Sequence, residues 1–79
     1  MIRLTEIQRK NNYIYCNAFL EDSTKAIQLR FSVASRNFDQ YEFPDGYDWC
    51  KEHMNIAKHY LNSVCENDLI PENHTIMWC

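Results

Sequence analysis

From Ile2 to Val33 apolar residues recur mostly at every second position, and from Trp49 to Cys65 they recur at the spacing of a helix. Ile2 to Arg9 predicts a first strand, but its alternation slips: Ile2 and Leu4 share one face and Ile7 falls on the other. A bulge near Thr5-Glu6 would return all three to one side. Lys10-Asn11-Asn12 predicts a tight turn, because Asn accepts positive φ. Tyr13 to Glu21 predicts a second strand with two unlike faces, Ile14, Cys16, Ala18 and Leu20 against Tyr13, Tyr15, Asn17 and Phe19. Asp22-Ser23-Thr24-Lys25 is a polar hairpin loop. Ala26 to Ala34 alternates strictly, with Ile27, Leu29, Phe31 and Val33 inward and Gln28, Arg30 and Ser32 outward. A four-residue loop would set Leu20 against Ile27, Ala18 against Leu29 and Cys16 against Phe31, so that the inner faces match.

Tyr47 to Glu66 predicts one amphipathic helix. At about 100° per residue, Trp49, Cys50, His53, Met54, Ile56, Ala57, Tyr60, Leu61, Val64 and Cys65 fall in one half of the wheel. Lys51, Glu52, Asn55, Lys58, His59, Asn62, Ser63 and Glu66 fill the other, the division of a helix with one buried and one wet face. Asp48 or Asp45 would act as N-cap, Asn67 would stop the helix, and Pro71 prevents it from continuing. Ser35 to Tyr47 is a long connection carrying Phe38, Tyr41 and Phe43, expected to wrap the sheet or to dock on a partner. His74 to Cys79 predicts a last short strand. If that strand runs parallel to the first, a right-handed crossover places it beside strand 1. The expected class is α+β: a single domain in β-β-β-α-β order, with a three- or four-stranded, mainly antiparallel sheet and one long helix on one face.

The composition, 46% hydrophobic and 14% aromatic, is that of a folded chain. With 79 residues the core is small, and self-association would help to stabilise it. No apolar run approaches the roughly 20 residues that span a bilayer, and MIRLTEIQRKNNY lacks the apolar stretch of a signal peptide. The expectation is therefore a cytoplasmic protein, without membrane contact, whose four cysteines stay reduced. Residues 1–36 hold six basic against three acidic side chains, and residues 37–79 hold two against eight. The sheet half is basic and the helix half acidic, which weighs against binding nucleic acid over the whole surface but leaves one face for it.

One glycine, Gly46, excludes phosphate-cradling loops, which need several. The metal candidate is Cys50-x-x-His53, on one helix face, with Cys16 as a third ligand from the sheet and Cys79 as a fourth. Cys65 lies about 22 Å along the helix from Cys50 and cannot join. Paired cysteine knuckles are absent, so these residues are expected to be core, with no metal and no cofactor. A Cys50–His53 nucleophile pair would need an exposed, electropositive setting, and both residues fall on the apolar face. His59 projects to the solvent side.

The outer face of the sheet carries the strongest functional signal. Tyr13, Tyr15 and Phe19 lie beside Arg30, with Arg3 or Arg9 joining according to the bulge. Either the connection carrying Phe38, Tyr41 and Phe43 folds over this face, or the face suits a protein partner, since Tyr, Phe and Arg anchor interface cores. It also resembles a platform on which single-stranded bases stack. The leading expectation is a small non-enzymatic interaction module, a regulator or inhibitor of a larger protein, binding a foreign protein or a second copy of itself as a homodimer. A nucleic-acid-binding domain is the alternative and a cysteine-dependent enzyme the third.

Overall fold

The computed structural model describes residues 1–67 and 69–77. Five strands, β1 (Ile2–Lys10), β2 (Tyr13–Leu20), β3 (Ile27–Ser32), β4 (Asn37–Phe38) and β5 (His74–Ile76), form one antiparallel sheet in the order β4-β3-β2-β1-β5. One helix, α1 (Lys51–Val64), packs against one face of it. The α+β class matches the expectation. The strand count exceeds it by the two-residue β4, too short to show a hydrophobic period.

The bulge in β1 is present. The β1–β2 register shifts between Thr5 and Gln8, and Glu6 takes φ +54°. The extra residue brings Ile7 onto the face of Ile2 and Leu4, where all three are buried. Asn11, at φ +57°, makes the predicted turn into β2.

The β2–β3 hairpin is offset by two residues from the expected register. Ala18 faces Ile27, Cys16 faces Leu29, and Ile14 faces Phe31. The link is longer because Glu21 turns to φ +49°, the Ser23 amide donates to the Leu20 carbonyl at 2.8 Å, and the Lys25 amide donates to the Ser23 hydroxyl at 3.2 Å. An even slip leaves every side chain on its intended face, so the core is unchanged. Ile14, Ala18, Leu20 and Phe31 are fully buried, together with Leu61 and Ala57 from the helix.

The helix is shorter than its apolar pattern. Two turns occupy the chain before it: the Tyr47 amide donates to the Pro44 carbonyl and the Cys50 amide to the Tyr47 carbonyl, each at 3.0 Å. Gly46, at φ +84°, permits the first of them. Cys50 therefore occupies the N-cap position with no side-chain cap, and neither Asp45 nor Asp48 serves there. Trp49, expected on the buried face, is left outside the helix and 64% exposed, its indole N–H donating to the Gly46 carbonyl. At the other end the Asn67 side-chain amide donates to the Ser63 carbonyl and its backbone N–H to the Val64 carbonyl.

β5 lies beside β1, but antiparallel to it. The connection after β4 accounts for this. It is fastened to one end of β3, where the Asp39 amide donates to the Arg30 carbonyl at 2.9 Å. It then runs back to the other end of the hairpin, where the Tyr47 hydroxyl donates to Asp22 at 2.8 Å. The helix thus starts at the Glu21 end of the sheet, runs in the direction of β1, and returns the chain against it. Tyr60 of the helix stacks on His74 of β5, centroids 4.0 Å apart and planes 2° from parallel. The expected last strand continued to Cys79; Trp78 and Cys79 lie outside the described residues.

Arg36 ties the two layers together. Its guanidinium donates to the Val33 carbonyl, to the Asn62 carbonyl near the end of α1, and to Glu66, at 3.0 to 3.2 Å. The last turn of the helix has no basic residue of its own, so Arg36 supplies the cation favoured at a helix C-terminus.

Candidate functional site

The register gives the outer face row by row. Thr75, Arg3 and Phe19 form one row, and Thr5, Asn17 and Gln28 the next. Gln8, Tyr15 and Arg30 follow, and Lys10, Tyr13 and Ser32 complete the face. Arg3 therefore joins this face. Arg9, directly opposite the buried Ile14, stands on the other side.

The connection carrying Phe38, Tyr41 and Phe43 does not cover these rows. Phe38 pairs with Phe31 and packs edge-on against it at 5.4 Å; Tyr41 follows on Phe38 at 5.9 Å and Phe43 on Tyr41 at 5.5 Å. This relay of rings is half-buried against the core on the helix side. Asp39 reaches the outer side, where its carboxylate pairs with Arg30 and strengthens the hold of that guanidinium on its proton.

Tyr13, Tyr15 and Phe19 make a column along β2. The Arg3 guanidinium sits over the Phe19 ring at 4.7 Å and Arg30 over Tyr13 at 4.8 Å. Tyr13 and Tyr15 contact each other at 6.3 Å. Tyr15 is the most exposed of the three, at 38%. Beside it the bulge opens a cleft of about 260 Å³, lined by Glu6, Gln8, Tyr15, Cys16, Asn17, Gln28 and Leu29. Glu6 accepts a hydrogen bond from the Asn17 amide at 2.8 Å.

The cysteines and histidines lie on the other side of the sheet. Cys50 and His53 are both buried, as the helical pattern predicted. His53 Nε2 is 2.7 Å from the Glu21 carboxylate, which also holds the Met1 ammonium at 2.8 Å. The ammonium and then His53 keep the Glu21 carboxyl below the usual carboxylate range. Trp49 closes over His53 edge-on at 5.6 Å. Cys50, His53 and Glu21 superficially form a thiol, an imidazole and a carboxylate in sequence. Yet Cys50 is fully buried, and burial and then the Glu21 charge push its thiol up, opposite to what a nucleophile needs.

Cys16 does not join this group. It lies near Tyr60, and burial pushes its thiol up to about 12. No three His, Cys, Asp or Glu side chains among the described residues are placed to hold a metal ion, and Cys79 lies outside them. His59 is on the exposed side of the helix.

Sequence reasoning missed Glu6, Gln8, Lys10 and Asp39 as members of the outer face. The first three are recoverable from the broken alternation after Leu4, since the bulge that returns Ile7 to the core also shifts Glu6 and its followers. Asp39 is not, because its placement depends on β4. No helix among the described residues is long and apolar enough to cross a membrane. Comparison with protein-family models, with curated proteins and with solved structures gave no match to this chain.

Proposed function

We propose that this protein is a small non-catalytic interaction module that binds another protein through the outer face of its sheet. One observation carries this: the aromatic connection that could have covered Tyr13, Tyr15 and Phe19 packs on the helix side instead. A sheet face in water needs no aromatic column for its own folding, whereas Tyr, Phe and Arg are the side chains that anchor interface cores. The two arginines already sit over Phe19 and Tyr13, so less side-chain freedom is left to lose on binding. Charge argues for protein rather than nucleic acid. Arg30 is neutralised by Asp39, and Glu6 stands on the same face, so only a weak positive field remains for a phosphate backbone.

The test compares the wild type with Tyr15→Ala and Phe19→Ala, using His59→Ala as a control on the opposite side. Partners cross-linked to the wild type and the control should be lost from both face variants while circular dichroism stays native. Retention of the same partners by the folded face variants would refute the proposal. Oligonucleotide binding that weakens steeply with salt, and depends on the same residues, would replace it with the nucleic-acid alternative. Sedimentation of the wild type over a concentration series separates self-association from a foreign partner.

A further inference from the structure

We infer that the cleft at the β1 bulge receives an arginine side chain of the partner, with its guanidinium between Glu6 and the ring of Tyr15. This rests on the outer face being the docking surface, and it specifies what that face recognises.

The bulge is the first observation. Glu6 is a non-glycine residue at φ +54°, a conformation that costs on the order of 1 kcal/mol and survives where the surroundings demand it. Regular alternation would have directed Glu6 toward the helix side. The bulge instead places its carboxylate at the cleft, steadied by the Asn17 amide. Bulges commonly re-aim a side chain in this way beside binding sites.

The second observation is the charge pattern. Glu6 is the only charged side chain lining the cleft, and its only hydrogen-bond partner among the described residues is a neutral amide. Arg3 sits over Phe19, and Arg30 pairs with Asp39, sits over Tyr13 and bonds to the Tyr15 hydroxyl; neither these nor Lys10 lines the cleft. A carboxylate with spare acceptor capacity, in a cleft also lined by Gln8 and Gln28, calls for a multidentate donor.

The third is the ring. Phe19 and Tyr13 each carry a guanidinium over the ring, whereas Tyr15, the most exposed of the three, meets Arg30 through its hydroxyl and has no guanidinium over its ring among the described residues. A planar guanidinium can stack on Tyr15 while its edge meets Glu6, a combination that the compact ammonium of lysine cannot reproduce. The cleft, at about 260 Å³, is below the roughly 300–1,000 Å³ of a drug-sized pocket and suits one long side chain.

The experiment is a titration of ¹⁵N-labelled protein with N-acetyl-arginine amide, followed by amide chemical shifts. The neutral isostere N-acetyl-citrulline amide and N-acetyl-lysine amide run in parallel. The arginine probe should give weak, saturable shifts centred on Glu6, Tyr15, Asn17 and Gln28, and bind more tightly than the lysine probe. Citrulline should give none that saturate. Glu6→Gln should weaken the arginine probe about tenfold, the loss of a charge-assisted pair, and His59→Ala, on the exposed side of the helix, should leave it unchanged. Equal responses to arginine and citrulline, lysine binding as tightly as arginine, or shifts centred elsewhere would overturn the inference. The wild-type titrations decide this even if a variant does not fold. A failed titration with partner capture still lost in Phe19→Ala would sink the arginine site alone; the reverse would sink the docking surface.

Discussion

The two faces of β2 differ in what their neighbours do with them. Ile14, Cys16, Ala18 and Leu20 point to one side and are 0 to 5% exposed, because the helix and the aromatic connection both pack there. Tyr13, Tyr15, Asn17 and Phe19 point to the other, where they meet side chains of adjacent strands, Arg3 and Arg30 among them. The rings of β2 all stand on the outer face, where they contribute little to the core, while the inner face is covered by rings from β3 and the connection. Alternation marks the core face; the placement of the covering layer decides that the aromatic face opposite stays open.

Substitutions should separate the faces sharply. Phe31→Ala, on the helix side, removes a fully buried ring that also supports Phe38. It should cost about 3–5 kcal/mol, a large share of what a domain of this size possesses, and abolish the cooperative urea transition or move it to very low urea. A loss below about 1 kcal/mol would mean that the helix-side core is not the main source of stability.

Cys16 sharpens the same point through pH. Its thiol is raised from an ordinary 9.0 to about 12 by burial, so between those values the unfolded chain gives up a proton that the native chain keeps. The stability is fully present below pH 9 and is lost as pH rises toward 12, at up to about 1.4 kcal/mol per pH unit. Urea denaturation across that range should show a steeper fall for the wild type than for Cys16→Ala. Identical slopes would mean that the thiol is hydrated.

Next in size is the clamp between layers. Arg36→Met should cost about 1 kcal/mol, since it removes donors from the Val33 and Asn62 carbonyls while its ion pair with exposed Glu66 is worth little. Glu66→Gln should therefore be nearly silent in the same melt, and an equal loss would assign the effect to the ion pair. Gly46→Ala should also cost about 1 kcal/mol, through backbone conformation alone, because φ is +84° and no atom lies within 4 Å of the added methyl.

The smallest stability change belongs to the outer face. Tyr15→Ala and Phe19→Ala should each shift the urea midpoint by less than about 1 kcal/mol equivalent, the scale of cross-strand pairs and exposed cation–π contacts. A loss as large as that of Phe31→Ala would erase the distinction between the faces and count against a surface kept free for a partner.

Much of this was legible along the chain. Alternation in residues 2–33 and the helical period after Trp49 determined the α+β class, the identity of the inner residues, and the bulge near Glu6, because burial on one side of a strand or helix imposes its own period on the sequence. The column of Tyr13, Tyr15 and Phe19 opposite the core was set by that same period. Other features belong only to the folded chain. Residues 39–47 carry no repeating pattern, yet their return along β3 decides where the helix starts, why β5 is antiparallel to β1, and which face the rings of Phe38, Tyr41 and Phe43 cover. Apolar periodicity placed Trp49 within the helix, but the turns at Pro44–Tyr47 and Tyr47–Cys50 delay its start. Cys16 was separated from Cys50 and His53 by the length of the helix, which a shared face cannot reveal. Period reports the direction in which a side chain points, and only tertiary structure decides what waits there.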